Sequence, residues 1–175
     1  MSTVSAIRYD MLQLLQAFLD IALWRKGPQD LPASWLLTAL SLIGYVALYC
    51  AQIPLVDIDP RTGFGIVAVD VAMLGVWLWG LLALVGRPER LKQTLTAWLG
   101  VGILFGALDV LVLLLMPQAM VMVAWWGPRI LVGALIFGRV LMHALDSNLF
   151  TGMALSIAMY LSTYLMVDTL FGSAQ

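Results

Sequence analysis

Two residues of opposite charge stand in apolar stretches on either side of a short turn. Asp109 and Arg129 belong to one predicted hairpin, 95–145, whose arms are joined at 116–118. A charged side chain inside the hydrocarbon costs about 2.5–3.5 kcal/mol on insertion scales, so it normally faces the interior of a helix bundle and has a partner. The spacing therefore predicts either a structural Asp109–Arg129 pair or a polar cavity that both residues line.

Two further aspartates belong to the same predicted layer. At a rise of about 1.5 Å per residue, Asp70 and Asp168 fall at depths similar to those of Asp109 and Arg129, about 5–15 Å from one membrane boundary. One interpretation is a cavity that handles a proton, a cation or an anionic headgroup. The other is a structural Asp109–Arg129 pair, with the two remaining aspartates hydrated near the interface.

The start of the fourth apolar stretch leaves an alternative open. Trp125 and Trp126 are typical of an interfacial aromatic belt, and Pro128 is typical of the first turn of a helix. If the span begins there, Arg129 is an interfacial anchor, and Arg139 becomes the deep charge.

A second polar group recurs at helical spacing near the end of this stretch. Arg139, His143 and Asp146 are separated by four and three residues, so they share one helix face, which we expect at the cytoplasmic edge. The chain has one histidine and one cysteine, Cys50, and it carries no His-Glu-x-x-His motif or phosphate-binding glycine loop. We therefore expect no catalytic residues, no metal site and no cofactor.

The composition defines the class of protein. The chain has 175 residues, of which 62 % are hydrophobic and 11 % charged, whereas a soluble domain carries about 25 % charged residues. Lipid is therefore the expected surroundings of most side chains. A net charge of −1 without a basic tail gives no indication of nucleic-acid binding.

The apolar stretches predict an all-α fold, a polytopic transmembrane helical bundle. Each stretch has the roughly 20 apolar residues that a helix needs to cross the hydrocarbon. An N-terminal segment, 1–30, precedes a transmembrane domain, 31–175, and contains an amphipathic helix at 4–24 that we expect to lie in the membrane interface. The alternative for this helix is packing on the rest of the protein. The five predicted spans are 35–53, 64–85, 91–116, 119–145 and 149–171.

Basic residues predict the orientation. All but Arg61 and the intramembrane Arg129 fall on one side of the predicted spans, and lysine and arginine favour the cytoplasmic side. We therefore expect an inner-membrane protein with a cytoplasmic N-terminus and an external C-terminus. The residues on the cytoplasmic side are Arg8, Arg25, Lys26, Arg87, Arg90, Lys92 and Arg139.

Small residues predict close helix packing. Gly102 and Gly106 form a Gly-x-x-x-Gly pattern on the third span, which allows two helix backbones to approach closely. The pattern fits the 95–145 hairpin or a dimer face, and we favour the hairpin. Further small residues on the last two spans are Gly133, Gly138, Gly152 and Ser156.

The layout resembles that of the Yip-type membrane proteins. Residues 91–97, Leu-Lys-Gln-Thr-Leu-Thr-Ala, are similar to the family's entry into its third span, and residues 125–160 are similar to its last two spans. Asp146-Ser147-Asn148 stands where the family has a glycine-rich turn. The resemblance implies a membrane scaffold or trafficking-type adaptor, and no catalytic residues.

From these observations we expect a non-enzymatic scaffold or accessory subunit of an inner-membrane assembly. Its expected partners are the lipid bilayer and either another membrane protein or further copies of itself. The alternative is a small transporter or channel subunit that uses the intramembrane charges for ion or proton passage.

Overall fold

The computed structural model describes residues 11–56, 58–116, 120 and 124–172, and within them the protein is helical, without strands. The predicted all-α class is confirmed. Short 3₁₀ turns occupy Pro28–Asp30, Ile53–Leu55 and Pro88–Arg90. The α-helices are α1 (Met11–Ala22), α2 (Trp35–Gln52), α3 (Pro60–Leu84), α4 (Leu91–Leu115), α5 (Trp126–Leu145) and α6 (Leu149–Phe171).

Five of these helices, α2 to α6, are long and apolar enough to cross a membrane. Their number agrees with the predicted five spans, so the polytopic architecture is confirmed at that level. Successive spans run in opposite directions because each is joined to the next by a short connection. The loop 85–90 and the turn 146–148 therefore lie at one end of the bundle, which we name the basic end, and Asp59 lies at the other.

Side-chain caps explain where several helices begin. Ser34 Oγ accepts a hydrogen bond from the Leu37 backbone N–H, and Asn148 Oδ1 accepts one from Thr151, 2.8 Å away. Asp59 caps α3 in the same way, with proline in the first helical position. These signals start α3 four residues before the predicted boundary at 64.

The fourth span begins later than predicted. Ala124 and Trp125 form a π-helical turn, and α5 follows from Trp126. Residues 117–119 and 121–123, which include the predicted start and turn, lie outside the described residues. The 20 residues of α5 cover about 30 Å, which is sufficient to cross the hydrocarbon. This boundary agrees with the alternative start suggested by Trp126 and Pro128.

Helix α4 forms the centre of the bundle. It packs against α1, α2, α3 and α5, and most side chains in 94–102 are buried. The most extensive helix pairings are those of α2 with α4 and of α5 with α6. The predicted hairpin of α4 and α5 therefore exists, but each of its arms packs more extensively on a different helix.

Helices α5 and α6 touch through their backbones. A Cβ atom added at Gly152 would overlap the carbonyl oxygen of Gly138, and one added at Gly138 would lie 2.8 Å from the Met153 backbone. Neither position has space for a side chain. The small residues predicted on these spans therefore set the distance between α5 and α6.

Helix α1 packs on the same core. Ala17, Phe18 and Ile21 are buried, and Phe18 lies against Gly100, nine residues (about 13 Å) along α4. The contact is with the body of α4, so α1 packs on the rest of the protein; its predicted position in the membrane interface stays a prediction. Leu12, on the opposite side, is 71 % exposed. The first part of the predicted helix, 4–10, lies outside the described residues.

Candidate functional site

An ion pair joins α4 to α5 inside the bundle. Arg129 Nε lies 2.7 Å from Oδ1 and 2.8 Å from Oδ2 of Asp109. The exposed fractions of the two residues are 9 % and 3 %. Arg129 stands in the first turn of α5, as the alternative start predicts, and its side chain is buried and paired.

Two further side chains complete this pair. Trp125 Nε1 donates a hydrogen bond to Asp109 Oδ1 at 2.8 Å, and Arg129 Nη2 donates one to the Tyr49 hydroxyl at 3.1 Å. The guanidinium also lies 5.6 Å from the ring centre of Phe105 and 5.3 Å from that of Trp126, within cation–π distance. The charges are thus neutralised and hydrogen-bonded as buried charges require, and they connect α2, α4 and α5.

Asp70 on α3 has a different environment. Its Oδ2 accepts a hydrogen bond from the Tyr45 hydroxyl at 2.6 Å. The Tyr45 and Tyr49 ring centres are 4.3 Å apart, so Asp70 stands beside the Asp109–Arg129 network through two tyrosines of α2. No ion pair formed among the described residues includes Asp70.

These polar groups border one cavity of about 270 Å³. All five spanning helices contribute to its wall, which makes it the place where the bundle brings its intramembrane polar residues together. Polar side chains at the wall are Tyr45, Tyr49, Asp70, Arg129, Tyr160 and Thr163. We name this space the central cavity.

The structure does not bring Asp168 into the central cavity. Its side chain is exposed, whereas Thr163 and Val167 on the same helix line the cavity. Consecutive residues of a helix differ by about 100° in direction, so Asp168 points away from the wall that Val167 forms. The predicted layer of four charges is therefore reduced to Asp70, Asp109 and Arg129. The depth of a residue in the membrane does not determine the direction in which its side chain points.

The predicted group at the basic end divides into two. Arg139 Nε lies 3.4 Å from His143 Nε2, and the Arg139 guanidinium lies over the Trp24 ring, 5.0 Å from its centre. Asp146 forms ion pairs with Arg87 and Arg90 instead.

Arg90 also closes the end of α5. Its Nη1 donates hydrogen bonds to the carbonyl oxygens of His143 and Ala144, at 3.0 and 3.2 Å. These are carbonyls of the last helical turn, which have no partner within the helix. Arg87, Arg90 and Asp146 thus link the loop before α4 to the end of α5.

The glycine pattern on α4 has a different neighbour from the one predicted. A Cβ atom at Gly102 would lie 2.5 Å from the Tyr45 ring, and one at Gly106 would lie 2.8 Å from Leu48. Both contacts are with α2, so the preference for the hairpin partner α5 is wrong. The glycines let α2 approach α4 closely, whereas Arg129 reaches Asp109 from α5 with a long side chain.

Sequence reasoning missed three aromatic partners of the charged residues, Tyr45, Tyr49 and Trp125, and it also missed Tyr160 at the cavity wall. One signal was present, because Tyr45 and Tyr49 are four residues apart and so place two hydroxyl groups on one face of α2. No comparable signal marks Tyr160, which lines the cavity from α6. In apolar spans, tyrosine and tryptophan are read as packing or interfacial residues.

Within the part of the chain that the structure describes, no group of three histidine, cysteine, aspartate or glutamate side chains is placed to hold a metal ion. The site consists of one neutralised ion pair, one aspartate with a tyrosine partner, and an aromatic cavity wall. Comparison of the chain with protein-family models, characterised proteins and solved structures finds no match.

Proposed function

We propose that the protein is a non-enzymatic integral component of a membrane assembly, a scaffold or accessory subunit. The supporting observation is that the Asp109–Arg129 pair is bonded to Trp125 and Tyr49 inside the bundle. Such an arrangement holds three helices in fixed positions, as a scaffold requires, and both oxygens of Asp109 contact Arg129.

The proposed membrane is the inner, or plasma, membrane, with the basic end in the cytoplasm. The support is the distribution of charge, because Arg25, Arg87, Arg90 and Lys92 lie at or next to the basic end whereas Arg61 lies at the other. The side chain of Arg25 is 71 % exposed. We propose that this end contacts the partner, which is another membrane protein or a second copy.

Orientation is tested by thiol labelling in intact cells. Cys50 is first replaced by alanine, and Arg61→Cys or Glu89→Cys is introduced singly. A membrane-impermeant maleimide is expected to label the Arg61→Cys variant from outside and the Glu89→Cys variant only after permeabilisation. The reverse pattern would contradict the proposed orientation.

Assembly is tested by native gel electrophoresis and quantitative mass spectrometry of the tagged protein in a mild detergent. We expect a complex of fixed stoichiometry that is weakened when Arg25 and Lys26 are both changed to glutamate. Arg61→Glu, at the opposite end, is the matched control and should leave the complex intact. A single chain recovered alone from native membranes would count against the proposal.

A second candidate is a small transporter or channel subunit for ions or protons. It is supported by the central cavity, to which every span contributes, and by Asp70 at its wall. Purified protein in liposomes should then conduct protons or cations, and Asp70→Asn should abolish the flux while folded yield stays unchanged. Flux equal to that of protein-free liposomes would exclude this candidate.

A further inference from the structure

We infer that the central cavity is a binding site for a small organic cation, a quaternary or protonated amine, with Asp70 as its counter-ion. Three features support this: the charge at the cavity wall, the aromatic composition of the wall, and its size. The inference concerns equilibrium binding by the purified chain, so it does not depend on the proposed role in an assembly.

The charge at the wall favours a cation. Asp109 and Arg129 neutralise each other, whereas Asp70 has only the Tyr45 hydroxyl as a hydrogen-bond partner among the described residues. An ionised Asp70 thus leaves one negative charge without compensation. A buried charge of this kind is stable when a countercharge lies beside it, and a bound cation would supply that countercharge.

The same geometry disfavours an anion. Arg129 is the one basic residue among those that line the cavity. Its Nε is bonded to both oxygens of Asp109, and its Nη2 is bonded to Tyr49. An anion in the cavity would have to replace Asp109 as the partner of Arg129 and would also be repelled by Asp70.

The wall is unusually aromatic. The π face of an aromatic ring attracts a cation, most strongly when water is excluded. Aromatic residues line the cavity from four helices. Trp98 and Phe137 are stacked on each other, with ring centres 4.3 Å apart, so one face of each is covered by the other. The aromatic residues of the wall are Tyr45, Tyr49, Trp98, Trp126, Phe137 and Tyr160. Aromatic rings and one carboxylate are the groups from which sites for methylated ammonium ions are built.

The size of the cavity restricts the occupant. Its volume of about 270 Å³ is just below the range for ligand pockets, roughly 300–1,000 Å³. Choline is therefore a suitable probe, because its trimethylammonium head is small and permanently charged. Its neutral isostere, 3,3-dimethylbutan-1-ol, has the same shape without the charge.

The test is equilibrium dialysis of radiolabelled choline against the purified full chain in a maltoside detergent, which carries no ammonium group. We expect saturable binding that the neutral alcohol displaces at least about tenfold less effectively, since cation–π and charge attraction act only on choline. Asp70→Asn should weaken binding at least about tenfold, because the amide keeps an acceptor for Tyr45 and loses the charge.

Asp168→Asn is the matched control, since it makes the same chemical change on an exposed residue outside the cavity; it should bind choline as the unchanged chain does.

Should Asp70→Asn fail to fold, Tyr160→Leu tests the aromatic wall without changing a charge and should also weaken choline binding. Equal displacement by choline and its neutral isostere would overturn the inference, as would unchanged binding by a folded Asp70→Asn variant. Choline binding by a protein that conducts neither protons nor cations in liposomes would support the inference and contradict the transporter candidate.

Discussion

Arg129 contacts both carboxylate oxygens of Asp109 through a single nitrogen, Nε, at 2.7 and 2.8 Å. This geometry leaves Nη2 free to bond Tyr49 on α2. One guanidinium therefore fastens α5 to two other helices. The arrangement gives the buried pair a structural role that charge-exchange variants test directly.

Exchange of the two charges should separate a specific pair from two independent residues. Asp109→Arg and Arg129→Asp should each lower the free energy of unfolding by about 3–5 kcal/mol, because each leaves like charges buried together. The double exchange should recover part of this loss, since Trp125 cannot donate to an arginine at position 109. Thermal unfolding in detergent measures all three, with the exposed Arg61→Asp as control. Three equally unstable variants would contradict a pairwise interaction.

Gly102→Ala should destabilise the bundle by about 1–3 kcal/mol, because the new methyl group meets the Tyr45 ring. Displacement of this ring also removes the hydrogen bond from Tyr45 to Asp70. Gly75→Ala is the matched control, since no atom lies within 4 Å of its added Cβ. Unfolding in detergent should distinguish the two variants. Equal stability would show that α2 and α4 are less closely packed than described.

Gly152→Ala should destabilise more than Gly102→Ala, by about 3 kcal/mol, because its methyl group meets the backbone carbonyl of Gly138, which cannot rotate away. The two helices would have to separate along their length. Gly80→Ala, with no atom near its added Cβ, is the control. The measurement is the yield of folded protein and its midpoint of thermal unfolding. A fully stable Gly152→Ala variant would contradict the backbone contact.

Asp146→Asn should lower stability by only about 0.5–1 kcal/mol at low salt, because its ion pairs with Arg87 and Arg90 are partly exposed. Asparagine tolerates the left-handed backbone at this position, where φ is 48°, so only the charge is lost. In about 1 M salt the difference should vanish through screening. The test compares thermal unfolding at both salt concentrations; a loss that persists in high salt would contradict an electrostatic origin.

The fold could be predicted from the sequence because lipid imposes a simple rule. A stretch of about 20 apolar residues with polar boundaries is sufficient to indicate a span. Local chemistry then sets where each helix begins, as at Ser34 and Asn148, whereas the start at Pro60 lies four residues before the predicted boundary. The boundary at Trp126 was harder to place, since the apolar composition continues from 119 into the helix. Hydropathy alone does not separate a spanning helix from the apolar segment before it.

The site could be predicted only in part. The Asp109–Arg129 pair was one of the two interpretations that two charges in neighbouring spans allowed, because each needs a partner in the hydrocarbon. The contacts of Gly102 with α2 and the exposure of Asp168 depend on how each helix is rotated about its axis. In a lipid-facing bundle, apolar residues cover every face of a span, so no amphipathic pattern reports that rotation.

The position of Asp109 on a central helix has a consequence for biosynthesis. Asp109 is made 20 residues ahead of the arginine that neutralises it. A third span released alone into lipid would carry a bare carboxylate, at a cost of about 2.5–3.5 kcal/mol. Release of α4 and α5 from the insertion channel as one unit avoids that intermediate, because Arg129 then neutralises Asp109 before either helix enters the lipid. The buried pair therefore favours the joint release of these two helices.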